Sequence, residues 1–336
     1  MSRFFHLPSR RRLLILLAIV VLPLLAYAIW EPGRTITDGR HDRGRNGLWM
    51  QHAWLGDDAW FKRNHREDRR DHFRDPATLA QTAAHLQQHH IADLFPHLCP
   101  CNPSGAIPPV DDPQTERFLN AFAPPQFRVL PWVGGVQDVD AFPTNPKWRA
   151  GFLASINDLL TRHPRLAGIH VNIEPLPSGD AGYLTLLTEL RAALPKGKLI
   201  SVAAYPPPTL WHRFPEVHWE EAYFRQVAAR TDQVAVMLYD TSLRSPKFYR
   251  KLMRDWTAET LLWAGDTPVL LGVPAYEDAG VGYHHPDVEN LTNSLAGIHA
   301  AISSPLPANY QGVSIYADWE MTDAKWSTLR GSFFKP

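Results

Sequence analysis

The chain has 336 residues, 45% of them hydrophobic and 20% charged, with 34 basic against 34 acidic side chains. This is a globular composition with apolar material for a large core, which excludes a disordered or collagen-like chain. Zero net charge supplies no basic field, so nucleic acid is not an expected partner.

The first feature in chain order is Leu13 to Trp30, 18 uncharged and mostly apolar residues behind Arg10-Arg11-Arg12. The run is long enough to span a bilayer, with Pro23 as a kink. The arginines should stay cytoplasmic, which predicts an inner-membrane-anchored chain with a periplasmic or other extracytoplasmic domain. Ala26-Tyr27-Ala28 also fits the small-residue site of a cleaved signal peptide, which would give a secreted or periplasmic protein. Residues 1–30 are thus expected as a signal anchor or signal peptide, 31–45 as a polar linker, and 46–336 as the folded domain.

Strand-like runs and helical patterns then alternate. The strands are expected at Gly47–Leu55, Ile91–Leu98, Arg128–Val133, Gly168–Glu174, Leu199–Tyr205, Gln233–Tyr239, Pro268–Pro274 and Gly312–Ala317. Helix starts lie between them: Asp75-Pro76, Asn145-Pro146, Asp180, Ser245-Pro246 and Thr322-Asp323 each put a capping side chain before an apolar 3.6-residue period. Eight strand–helix units over this length predict an α/β fold, a (β/α)8 TIM barrel. A doubly wound sheet would want a Gly-rich phosphate loop after the first strand, and Leu55-Gly56-Asp57-Asp58 is not one.

The fourth strand is the most informative. In Gly168-Ile-His-Val-Asn-Ile-Glu174 the β-branched Ile169, Val171 and Ile173 face one way, and His170, Asn172 and Glu174 face the other. Three polar groups turned toward a barrel interior are costly unless they bond to one another or to a ligand. The other strand ends, where barrel enzymes keep their chemistry, carry acids and aromatics: Trp132 on strand three, Tyr205 on five, Met237, Tyr239 and Asp240 on six. Tyr276 and Glu277 end strand seven, and Tyr316, Asp318 and Trp319 end strand eight. Such a set suits a neutral polyhydroxylated ligand, with hydrogen bonds for hydroxyls and flat faces for rings. Cys99 and Cys101 are the only cysteines, too few for a thiolate metal site and tightly spaced for a disulfide, so no cofactor or metal is expected.

The motifs, in order, resemble glycoside hydrolase family 18, the chitinase-like barrels. Trp132-Val-Gly-Gly135 is similar to the S-x-G-G ending strand three, and Met237-Leu-Tyr-Asp240 is the M-x-Y-D of strand six. Gly272-Val-Pro-Ala-Tyr276 matches G-x-P-x-Y, and Gly312-Val-Ser-Ile-Tyr316 stands at G-x-x-x-W. The family's D-x-x-D-x-D-x-E becomes Ala167-Gly-Ile-His170-Val-Asn172-Ile-Glu174: the three aspartates are replaced and the glutamate kept. Asn-x-Glu at this spacing resembles the family 85 endo-β-N-acetylglucosaminidases. The resemblance implies a hydrolase of β-linked N-acetylated amino-sugar glycans, working by substrate-assisted retention, which the N-terminal segment would make an exported one. It casts Glu174 as general acid, Asn172 as orienter of the acetamido group and Tyr239 as its hydrogen-bond donor. His170, Trp132, Tyr205, Met237, Asp240, Tyr276, Glu277, Tyr316, Asp318 and Trp319 would contact the poly- or oligosaccharide. Two other readings are a retaining glycosidase using Glu174 and Glu277 as its two carboxylates, and a non-catalytic saccharide-binding barrel of the cell envelope.

Overall fold

In a computed structural model describing residues 10–210 and 214–335, Gly168–Glu174 is a strand over its whole expected length. Ile169, Val171 and Ile173 are buried in the apolar layer shared with the outer helices, while His170 bonds inward to Trp49. The eight staves are β1 (Asn46–Met50), β2 (Ile91–Pro96), β3 (Arg128–Val129 continued by Trp132–Val136), β4 (Gly168–Glu174), β5 (Leu199–Ala204), β6 (Gln233–Met237), β7 (Val269–Pro274) and β8 (Tyr310–Tyr316). Every pair is parallel, and β8 returns to β1. The third stave breaks at Leu130-Pro131, because proline has no N–H for the ladder. Its first half pairs with β2 and its second with β4. Leu130 N still donates to Leu94 O at 2.9 Å and Leu98 N to Trp132 O at 2.7 Å, so the ring of staves closes there.

All five expected helix caps form. Asp75, Asn145, Asp180, Ser245 and Thr322 each accept a hydrogen bond from a first-turn backbone N–H. These caps fix where each helix leaves its loop and therefore how each stave is covered.

Two expectations at the N-terminus change. The chain divides into two units, 1–32 and 33–336, and part of the expected linker belongs to the barrel unit: Arg34 N donates to Ala296 O at 2.8 Å, and Ile36, His41 and Asp42 are buried. The first unit holds a helix, Arg10–Ile29, with Pro23 inside it. Among the described residues no helix is long and apolar enough to cross a membrane. The expected membrane span therefore lacks structural support.

The barrel axis is filled by a directional hydrogen-bond chain. Trp49 Nε1 donates to His170 Nε2 at 3.0 Å, so the proton of a neutral His170 sits on Nδ1, which faces Ser201 Oγ at 2.9 Å. Ser201 then donates to Gln233 Oε1 at 2.7 Å, and Gln233 Nε2 donates to Asp93 Oδ2 at 2.6 Å and Gln311 Oε1 at 2.7 Å. Arg128 closes the chain on Asp93, its Nε 2.6 Å from Oδ1. Each buried polar group thus meets a partner, which is the condition for burying them at all.

Candidate active site

At the C-terminal ends of the staves lies an open cavity of about 790 Å³, well within the range of ligand sites. Its aromatic wall is built from Trp49, Trp132, Tyr239, Tyr276 and Tyr316. Tyr316 stacks on Tyr239 with ring centroids 5.4 Å apart and meets Trp49 and Tyr276 edge-on at 5.9 and 5.4 Å. Mutual packing holds the rings in place before any ligand arrives.

Asn172 and Glu174 both open into this cavity. Their placement depends on Gly134: its φ is +133°, and a Cβ there would come 1.9 Å from the Asn172 carbonyl oxygen. Only glycine lets β3 run this close to β4. Burial raises the pKa of Glu174 above its usual 4.5, the negative charge of Asp240 adds to the rise, and a hydrogen bond from Asn172 opposes it. With the Asn172 amide turned toward Glu174, its Oδ1 is buried and without a partner. The two side chains thus offer a proton held on a carboxyl and, beside it, a free acceptor. Asp240, raised by its own burial, lines the same cavity, as do Tyr205, Met237 and the 41%-exposed Trp319 at the rim. Burial raises the Tyr205 phenol as well, against a backbone hydrogen bond from Leu176.

Ten of the thirteen residues singled out in the sequence therefore share one cavity; His170, Glu277 and Asp318 are not among its lining. His170 is sealed beneath it, stacked on Phe95 at 4.1 Å. Desolvation drops its pKa to about 3, so it is a neutral support under Trp49 and not a ligand contact. Glu277 lines a different cavity and pairs with Lys325 at 2.7 Å. That pairing leaves the two-carboxylate arrangement with Glu174 without its second member. Asp318 turns away to accept from Gln51 N at 2.9 Å and Trp54 Nε1 at 3.1 Å. It ties the loop after β8 to the loop after β1.

Several lining residues were not singled out: Trp49, Glu216, His218, Trp256, Asp278, Tyr283 and Glu320. Trp49 follows from where β1 ends. The strand stops at Met50, so Trp49, and not Trp54, is the inward aromatic at the mouth. The others come from loops, where no periodicity exists to read. Cys99 and Cys101 are buried free thiols, with Cys99 Sγ donating to Trp132 O at 3.3 Å.

Comparison with known proteins gives a consistent picture. The sequence model described as glycosyl hydrolases family 18 matches residues 95–327. No curated protein matches the chain. Among solved structures, a chitinase from Chromobacterium violaceum is similar at 17% identity and a TM-score of 0.54, covering 85% of this chain and 98% of its own. The spore cortex-lytic enzyme SleL of Bacillus cereus is similar at 12% identity and a TM-score of 0.52, covering 77% of this chain and 71% of its own. SleL of Bacillus megaterium, at 14% identity and a TM-score of 0.50, covers 87% of this chain and 76% of its own. These likenesses establish the barrel, and the match over most of the chain establishes the family: this chain is a glycoside hydrolase belonging to family 18.

Proposed function

We propose that the protein hydrolyses β-linked glycans of N-acetylated amino sugars with retention at the anomeric carbon, the acetamido group of the substrate acting as nucleophile. The observation that carries this reading is the pairing of a carboxyl with raised pKa and an unpartnered amide oxygen in one cavity wall. Glu174 protonates the leaving glycosidic oxygen. Asn172 Oδ1 accepts the acetamido N–H and turns the acetamido oxygen toward the anomeric carbon. As the carbon–oxygen bond breaks, that oxygen closes a five-membered ring, and Tyr239 donates a hydrogen bond to it. Water then attacks the anomeric carbon from the face the leaving group departed, opening the ring and giving its proton to Glu174.

The chitinase and cortex-lytic neighbours support an amino-sugar polymer as substrate. Glu174, Glu216, Asp240, Asp278 and Glu320 line the cavity, and no lysine or arginine does so among the described residues. Such a lining favours a neutral glycan over one carrying carboxylates. Export is supported by the arginine-led apolar segment from Leu13 to Trp30; fractionation of the full chain between cytoplasm, membrane and exterior tests it.

The test of the activity is product stereochemistry. N-acetylglucosamine oligomers digested in an NMR tube should release the β-anomer first, and Glu174→Gln should lose roughly 10²–10⁴-fold in rate. Release of the α-anomer first would overturn the retaining mechanism. Equal rates for wild type and Glu174→Gln would overturn the hydrolase reading and favour the saccharide-binding one.

A further inference from the structure

Behind the cavity wall, the loop after β6 and the segment after β7 bring together Asp240, His284 and Glu289. His284 and Glu289 are fully buried, and Asp240 lines the cavity. His284 Nε2 lies 3.2 Å from the Tyr276 carbonyl oxygen, and its ring stacks on Tyr276 at 4.0 Å. With Nε2 committed as the donor, a neutral His284 turns the lone pair of Nδ1 the other way. That atom is 3.2 Å from Asp240 Oδ1 and 3.9 Å from Glu289 Oε2. His284 Nδ1, Asp240 Oδ1 and Glu289 Oε1 are all buried without a hydrogen-bond partner. One donor atom from each residue falls within a 4.8 Å span. Three electron-pair donors facing one point need a proton or a metal cation between them.

We propose that Asp240, His284 and Glu289 bind one divalent metal ion of the zinc class. Two carboxylates and a neutral imidazole cancel a double positive charge, which a largely buried site requires. Bonds of about 2.0–2.2 Å to nitrogen and oxygen in a tetrahedral arrangement set neighbouring donor atoms about 3.3–3.5 Å apart, and the 3.2 Å between His284 Nδ1 and Asp240 Oδ1 is close to that value. The supporting contacts are those of a metal-bound histidine: the far ring nitrogen donates to a backbone carbonyl, fixing the tautomer. Glu289 is likewise oriented, its Oε2 accepting from Thr241 N at 2.9 Å. The sequence hides the site, because 43 residues lie between Asp240 and His284 and no short motif joins them. The ion would anchor Asp240 in the cavity wall, so the proposal goes beyond the hydrolytic chemistry without depending on it.

The test uses the untagged full chain, stripped with a chelator and titrated with Zn²⁺ by calorimetry, with thermal unfolding followed in parallel. The expected result is one equivalent bound with a saturable heat, and a Tm that climbs with zinc concentration. His284→Gln and Glu289→Gln should each weaken binding by more than the roughly 10–100-fold that loss of an outer partner costs. Glu289→Gln keeps an oxygen for the Thr241 N–H, so its fold is retained. X-ray absorption of the wild-type zinc complex, expected to read one nitrogen among oxygen ligands, decides the matter if a variant fails to fold. No saturable heat and no Tm shift with Zn²⁺ or Mn²⁺ would overturn the proposal. So would unchanged binding in both variants, which would put the ion on other histidines. All readouts are of binding, so failure here is distinct from failure of the hydrolase reading.

Discussion

Replacing His170 by alanine breaks the hydrogen-bond chain along the barrel axis directly beneath the cavity floor. Trp49 Nε1, whose acceptor lies 3.0 Å away, is left buried and unpaired, at about 1–3 kcal/mol. Ser201 loses the bond from His170 but keeps its own donation to Gln233, a loss of about 0.5–1.5 kcal/mol. The ring stacked on Phe95 adds about 1 kcal/mol, so the total destabilisation is about 3–5 kcal/mol against a usual reserve of 5–15. Ser201→Ala orphans the Nδ1–H of His170 and the Oε1 of Gln233, for about 2–6 kcal/mol. Because both variants cut the same chain, the double variant should cost less than the sum by at least about 1 kcal/mol. Urea unfolding followed by circular dichroism measures all three. Single variants within about 0.5 kcal/mol of wild type, or strict additivity, would refute the account of a connected chain.

The remaining predictions concern the cavity. Since burial and the Asp240 charge hold Glu174 above its ordinary range, its proton persists to higher pH, and the basic limb of kcat/KM should lie above 4.5. In the chelator-stripped enzyme Asp240→Asn removes a negative neighbour, so that limb should move to lower pH; an upward move would contradict the stated cause. Glu277→Ala, outside the cavity and paired with Lys325, should leave hydrolysis nearly unchanged, whereas a reacting carboxylate would cost roughly 10²-fold or more. Carboxylated amino-sugar oligomers should be cleaved more slowly than neutral ones at low salt, with the gap narrowing as ionic strength rises. A gap indifferent to salt would rule out the acidic lining as its origin.

Much of the architecture was legible in the sequence because its signals are local. Gly168–Glu174 reads correctly from period-two alternation alone, and the five capped helices from an oxygen-bearing residue ahead of an apolar period. The helix Asp112–Ala121 was readable in the same way, since Asp111 caps it with a proline in its first turn. Glu221–Ala228 has no side-chain cap and offers no such signal. At the site, the strand-end rule places Asn172, Glu174, Tyr239 and Asp240 in the cavity. It fails for Glu277 and Asp318, which sit in loops whose side chains turn to Lys325 and Trp54. His170 has the right face but lies too deep. Two residues along a strand separate a sealed position from an open one, and alternation alone is blind to depth. The Asp240–His284–Glu289 cluster is a product of tertiary packing and leaves no trace in spacing.

The central claim is that the free acceptor of Asn172 and the proton of Glu174 act together on one acetamido sugar. Calorimetric binding of an N-acetylglucosamine-derived thiazoline, a stable mimic of the ring formed when the acetamido oxygen attacks, tests it most directly at a pH low enough to protonate the ring nitrogen, which then carries the N–H that Asn172 Oδ1 accepts. The wild type should bind this compound far more tightly than N-acetylglucosamine itself, and Asn172→Ala should lose that advantage while keeping its fold. Binding no tighter than the simple sugar, or an advantage undiminished in Asn172→Ala, would contradict it.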